Sequence, residues 1–235
     1  GRPLTADHTA QEGSEAYPPE PNIDTMLLNR VKGFLDPEEG RRLHRVAWEA
    51  ASLGPCLEIG SYCGKSTVYL GAACRARGGI LFSIDHHRGS EEQQPGEEYF
   101  DPELYDSRLH KLDTFRTFRE TIEAAGLEQT VVPLVCASAV AARAWATPLG
   151  LVLIDGGHSF SAAFTDYNSW AAHLVPGGYL LIHDIFKNPE EGGQAPRRVY
   201  DLALASGLFL EQPMTRTLGV LQRRMLGDIS QNSYR

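Results

Sequence analysis

The sequence predicts an α/β domain: a seven-stranded, mostly parallel sheet with helices on both faces and an antiparallel hairpin at its C-terminal edge. Three observations lead there. Short apolar runs ending in Gly or Asp, such as "CLEIG", "LFSID" and "LVLID", alternate with stretches of helical periodicity, the pattern of strands buried on both faces. A length of 235 residues at 42% apolar content suffices for one core of this size. After Asp184 the alternation stops, and "LFLEQ" and "LGVLQRR" follow a helix as two short strands suited to antiparallel pairing.

Taken in order, residues 1–22 are polar and proline-punctuated ("AYPPEPN"), without periodicity, and read as a flexible arm ahead of a single domain over 23–235. The Gly-Arg start in place of Met reads as a processed end or an expression remnant. Asp36 is an N-cap candidate with Pro37 at the first helical position and acids behind it, which predicts a helix over 37–52. "PCLEIG" then forms a strand and "KSTVYLGAACRA" a helix. "GILFSID" is followed by a helix within 106–125, and "TVVPLVCA" by a short helix. "LGLVLID" leads into the helix "FSAAFTDYNSWAAHL", "GGYLLIHD" closes the parallel series, and "PRRVYDLALAS" is the last helix. Trp145, Tyr167 and Trp170 have helix-face spacing to apolar neighbours and are expected in the core. His44, His110 and His173 fall on predicted helices, at surface or partly buried positions.

One connection breaks the pattern. Residues 86–106, "HHRGSEEQQPGEEYFDPELYD", are long and polar and leave the strand edge where ligands bind such sheets, so they read as a substrate-facing lid.

The formal charge of −8, without a block of consecutive Lys or Arg, argues against capture of nucleic acid or an anionic membrane surface and for a small-molecule partner. No apolar run of membrane-spanning length and no secretory start is present. Cys56, Cys63, Cys74 and Cys136 lack the paired spacings of a zinc site and read as free thiols of a reducing cytoplasm.

The segment "LEIGSYCGKST" (57–67) ends like a phosphate-binding P-loop, and "LVLID" imitates the strand whose acid holds the accompanying metal, so a nucleotide hydrolase or kinase is one reading. A P-loop, however, places four residues between its first Gly and the Gly-Lys pair, and here Gly60 and Gly64 enclose three. Four features fall at strand ends instead: this glycine turn, Asp85, Ser138 and Asp155. A glycine turn with a carboxylate at the end of strand two is the arrangement of a nucleoside-binding sheet edge, the acid accepting hydrogen bonds from ribose hydroxyls. Lys65 reads as a solvated lysine at a helix start.

"CLEIGSYCGKSTVYLG" resembles the first motif of class I S-adenosylmethionine-dependent methyltransferases, and especially their catechol O-methyltransferase-like and bacterial small-molecule branches. The resemblance continues through "FSID", "CAS", "IDGGHS" and "LVPGGYLLIHD", over roughly residues 55–185. It implies a Rossmann-like fold, S-adenosylmethionine as cofactor and a small hydroxylated acceptor. Gly60, Tyr62 and Ser66 would surround the methionine part, with the Ser66 hydroxyl and helix amides on its carboxylate; Glu58 would sit below the turn near the ammonium. Asp85 would take the ribose hydroxyls, and Ala137 with Ser138 would line the adenine. Asp155 and Asp184 match two acids that hold Mg²⁺ in metal-dependent members, but the third ligand position is Ile185, leaving His183, Glu97 or Glu98 to complete a site. His158 stands where the catechol enzymes carry a proton-accepting lysine, so it is the expected general base, beside Asp155. His86 and His87 are less specific candidates for adenosine or substrate contact. The acids and amides of the lid (Glu91, Glu92, Gln93, Gln94, Glu97, Glu98) suit a many-hydroxyl acceptor such as a sugar or glycosylated metabolite. A cofactor-binding protein without catalysis is the third reading. Dimers are common in the resembled group, although no apolar stripe marks an interface.

Overall fold

A computed structural model of the chain describes residues 20–227; most of the expected N-terminal arm lies outside the described residues. A short helix not anticipated from sequence, α1 (Thr25–Arg30), is capped by the Asp24 carboxylate. α2 (Pro37–Ala50) starts as its signals demand, the Asp36 side chain accepting from the Glu38 amide with Pro37 in the first turn. β1 (Cys56–Ile59), α3 (Lys65–Ala76) and β2 (Leu81–Ile84) follow. The lid ends in β3 (Tyr105–Asp106), which pairs in a two-residue ladder with β4 (Lys111–Leu112) just beyond it, before α4 (Phe115–Ala124). β5 (Val131–Leu134), α5 (Ser138–Ala142), β6 (Leu149–Ile154), α6 (Phe160–Trp170), β7 (Leu174–Ile182) and α7 (Ala195–Ala205) complete the alternation. β8 (Phe209–Glu211) and β9 (Gly219–Arg223) form the expected antiparallel hairpin.

The seven strands run β5-β2-β1-β6-β7-β9-β8. The first five are parallel, and β9 turns the edge antiparallel against β7. β7 begins earlier than the apolar run suggests, because "VPGG" is taken into the strand through a register shift opposite Leu149–Leu151.

Strand side chains alternate between two cores. Leu151, Leu153 and Leu181 face Leu43, Ala47, Leu70 and Phe118 of α2, α3 and α4. Val152, Ile154, Leu180 and Ile182 face Trp170, Val199 and Tyr200 of α6 and α7. Trp145 joins the second core, edge-on to Phe82 and Trp170 at 4.9 and 5.1 Å between ring centres. His44, expected nearer the surface, is buried at 2% exposure because α2 turns it inward with Leu43 and Ala47. Cys56, Cys63 and Cys74 are buried and Cys136 half-buried, all as free thiols. No helix among the described residues is long and apolar enough to cross a membrane.

Strand order reverses between β1 and β6, the place where an open parallel sheet leaves a crevice beyond its carboxyl ends.

Candidate active site

A cleft of about 1120 Å³ opens over the carboxyl ends of β1, β2, β6 and β7, roofed by the lid and by the segment 32–36. Its volume slightly exceeds that of sites for a single drug-sized ligand. It is built outward from the turn after β1. Gly60 has φ 91°, and a Cβ there would lie 2.1 Å from the Asp155 carbonyl oxygen, so the turn can pass β6 only with glycine. Tyr62 also takes a left-handed conformation, φ 50°, and its amide donates to Asp85 Oδ2 at 2.8 Å. Asp85 Oδ1 accepts from the His87 amide at the same distance. Asp85 therefore ties turn and lid together and still lines the cleft.

Beneath the turn, Glu58 is fully buried and accepts from Ser66 Oγ at 2.7 Å, from Ser83 Oγ at 2.8 Å and from the Thr67 hydroxyl. Burial pushes its carboxyl up to about 7 against the pull of these donors. Glu58 sits below the turn as expected, but it is not among the residues lining the cleft. Ser66, expected to offer its hydroxyl to a bound carboxylate, spends that single proton on Glu58. Ser138 likewise donates to Asp166 at 2.5 Å while lining the cleft beside Ala137.

Under the lid, Asp155, His158 and Asp184 bring one ligand atom each within 4.8 Å of one another, at the ends of β6 and β7. Asp184 holds φ 62°, a conformation that costs a non-glycine residue free energy and recurs at functional sites. His158 Nε2 lies 2.8 Å from Asp184 Oδ2, and Nδ1 lies 2.9 Å from Glu92 Oε2 of the lid. The Asp184 carboxylate, with Glu92 and against the cost of burial, raises the imidazole to about 9. In this arrangement His158 is an imidazolium donating to both acids.

His183, weighed beforehand as a ligand, is held elsewhere. Its Nε2 lies 3.0 Å from Glu39 Oε1 and its Nδ1 3.1 Å from Asp155 Oδ1. Burial alone would lower its basicity, but Asp155, Glu39 and Asp184 together raise it well above the ordinary histidine value. Glu39, which the sequence did not single out, also accepts from the Thr217 amide and hydroxyl and is only 3% exposed. Only its inward place on the first turn of α2 could have signalled it. Asp184 is held below the usual carboxylate range, burial opposing and His158 and His183 favouring its charge. Asp155 is raised, by burial and then by neighbouring Asp184, against His183.

Ile185 is buried at 3% exposure, and its side chain packs where a Cβ on Gly219 would be, so no ligand can come from that position. The lid acid that reaches the cluster is Glu92, whereas Glu97 and Glu98 line the cleft at its mouth. The lid amides serve the lid itself: Gln93 accepts from the Ser90 amide, and Gln94 donates to the carbonyls of Arg88 and Ser90. His86 lines the cleft and is exposed; His87 turns inward between Phe115 and Phe118.

Residues 57–185 match a family model described as a methyltransferase domain. In fold the chain is similar to the O-methyltransferase NovP (14% identity, TM-score 0.61, 80% of each chain). It is also similar to the O-methyltransferase TomG from Streptomyces achromogenes, involved in tomaymycin synthesis and solved with SAM (16% identity, TM-score 0.55, 82% of each chain). A third similar structure is an O-methyltransferase from Bacillus cereus solved with SAH (18% identity, TM-score 0.54, 83% of each chain). At these identities the likeness speaks for the fold.

Proposed function

Because this chain belongs to the methyltransferase-domain family, its match covering more than half of the sequence, we propose that it transfers the methyl group of S-adenosylmethionine to a hydroxyl of a small molecule. Membership sets aside the P-loop reading of "GSYCGKS". The observation that carries the proposal is the gathering, in one cleft, of the glycine turn, Asp85 and the Asp155–His158–Asp184 cluster. The turn and Asp85 supply a floor for a nucleoside with an amino-acid tail. The cluster under the lid supplies what an acceptor hydroxyl needs, a place to lose its proton. The sulfonium brings its own activated methyl group, so the chain's part is to align the acceptor oxygen with it and exclude water.

His158 becomes a base only when one of its two carboxylates leaves. An acceptor hydroxyl entering between His158 and Glu92 would take the place of the lid acid, which would carry the Nδ1 proton away as its carboxylic acid, and would then donate to the bare ring nitrogen. Carboxylates at the mouth, Glu97 and Glu98, beside the exposed ring of Tyr99, fit an acceptor with several hydroxyls, such as a sugar or glycosylated metabolite.

A second reading rests on the same cluster. Two carboxylates and an imidazole within 4.8 Å fit a divalent ion, better a transition metal than Mg²⁺, which prefers oxygen and water. Asp155, His158 and Asp184 would hold it, and it would act as a Lewis acid lowering the acceptor hydroxyl's pKa.

Methyl transfer to a panel of hydroxylated acceptors, followed as S-adenosylhomocysteine release, tests both. His158→Ala is expected to lower kcat by about 10²–10⁴-fold under either reading. Activity surviving EDTA assigns His158 as the base; activity lost and restored by Mn²⁺ or Mg²⁺ assigns it as a ligand. An unchanged kcat in His158→Ala would remove both.

A further inference from the structure

A second, smaller cavity of about 410 Å³, the size of a small-ligand site, opens beside the cleft mouth, between the segment before α2 and the far end of the lid. It adjoins the cleft along one wall, sharing Phe34, Tyr62 and Tyr99 with it, and ends against Phe100 and Pro102. Neither Asp85 nor the Asp155–His158–Asp184 cluster borders it, so nothing in the proton chemistry accounts for it. Gly33 sets the segment close to α3: a Cβ there would lie 3.2 Å from the Cβ of Lys65. That lysine, expected to be solvated, runs half-buried along the segment and takes part in no ion pair among the described residues.

The walls of this side cavity are aromatic. Phe34 lies nearly parallel to Tyr62, at 23° and 6.4 Å between ring centres, and edge-on to Tyr99, at 65° and 5.1 Å. Neither contact hides it. Phe34 is 67% exposed and Tyr99 40%, and Phe34 packs against none of the buried clusters, whereas its neighbour Leu35 packs into the first core. Rings that do so little for the core leave apolar area that a ligand can still bury. The charged groups narrow the occupant. Lys32 and Asp101 are spent on each other at 2.5 Å, and Glu98 stands at the rim shared with the cleft. A second sugar would need hydrogen-bond partners around its whole edge and would find most of them engaged here. A flat apolar ring needs face and edge contacts, which Phe34, Tyr62 and Tyr99 supply.

We propose that the side cavity walled by Phe34 and Tyr99 holds a planar apolar ring of the acceptor, the aglycone of a glycosylated metabolite, while the hydroxyl-bearing sugar lies in the cleft beneath the lid acids. The inference rests on the methyl-transfer reading and chooses, among the acceptors that reading allows, an aryl glycoside over a free sugar. The ring anchors the acceptor and takes no part in bond making. Because Tyr99 belongs to the lid and Phe34 to the segment facing it, the site is complete only when the lid is down.

The test is calorimetric titration of the full chain, with S-adenosylhomocysteine present, using the methyl and phenyl glycosides of each hexose in the acceptor panel and the matching disaccharides. Methyl transfer to the same compounds is followed in parallel. Wild type is expected to bind the phenyl glycoside roughly tenfold tighter than the methyl glycoside, the worth of one buried ring. Phe34→Ala should cut that preference to about twofold or less, and Phe34→Tyr, which keeps the ring, should retain it. The ratio is read within each protein because a loosened lid would weaken both glycosides alike. Phe34→Ala should melt as wild type does, since an exposed side chain outside the cores is removed. Equal affinities in wild type, a preference that survives Phe34→Ala, tightest binding of the disaccharide, or no binding of any glycoside overturns the ring site, and methyl transfer to other hydroxylated acceptors then still stands. A phenyl preference lost in Phe34→Ala, with no methyl transferred to any acceptor, keeps the ring site and overturns the methyl-transfer reading.

Discussion

Asp155, Asp184, His158, His183 and the two glutamates flanking them share charge under the lid as one coupled set. Away from that set, Asp166 carries a clearer titration. Burial raises its carboxyl to about 6 against the Ser138 hydroxyl bond. A carboxyl raised in the native state binds more protons there than in the unfolded chain between pH 4 and 6, so it withdraws stability as pH rises through that window. Asp166→Asn is therefore expected to flatten the fall of unfolding free energy from pH 4 to 6, removing a slope worth about 2–3 kcal/mol at most. Denaturant melts across that range check it; an unchanged slope would mean that Asp166 is solvated. At this scale the sequence marked Gly60, Asp85 and Asp155, because each sits at a strand end beside a recognisable turn, and the family resemblance marked His158 and Asp184. It concealed Glu39 and the unpaired state of Lys65 and Ser61. Those depend on which neighbours a side chain lacks, which no local pattern records.

Among the elements, the lid is tied down at three points. Lys32 Nζ lies 2.5 Å from both Asp101 and Glu103, Phe34 and Tyr99 meet edge-on at 5.1 Å between ring centres, and Glu92 holds His158. These ties link the segment before α2 to the far end of the lid across the cleft mouth. Exposed ion pairs are individually weak, so the lid should open readily when one is lost. Lys32→Ala is expected to speed limited proteolysis within residues 91–103 and to raise the acceptor KM while leaving S-adenosylhomocysteine affinity nearly unchanged. Equal cleavage rates in variant and wild type would show that these ion pairs do not restrain the lid. The length and polarity of 86–106 are what propose it as a lid, since compact domains seldom carry such a connection without use. The ladder at its end was not legible: β3 and β4 have two residues each, below the length at which alternation can be seen. α1 was missed for the same reason, its six residues spanning less than two turns.

For the whole molecule, a ligand that binds only the folded chain adds stability by mass action. S-adenosylhomocysteine at about one hundred times its Kd should add about 2.7 kcal/mol, which for a chain of this length raises Tm by roughly 5–10 °C. ATP with Mg²⁺ should produce no comparable shift. The reverse order would return the glycine turn to the nucleotide reading. The sequence by itself determined the sheet, its helical layers, the reversal at the C-terminal edge and the strand ends that border the cleft. These follow from periodicity and turn chemistry, which act over a few residues. Only the tertiary structure decided which groups meet. It engaged Ser66 with Glu58 and, among the described residues, left the Ser61 hydroxyl without a hydrogen-bond partner and Lys65 outside any ion pair. It brought Glu92, rather than Glu97 or Glu98, to His158, and set His183 between Asp155 and Glu39, a residue 144 positions away from it in sequence. Such pairings are fixed by how two cores close on one sheet, and the energy of each depends on burial and on partners drawn from distant parts of the chain.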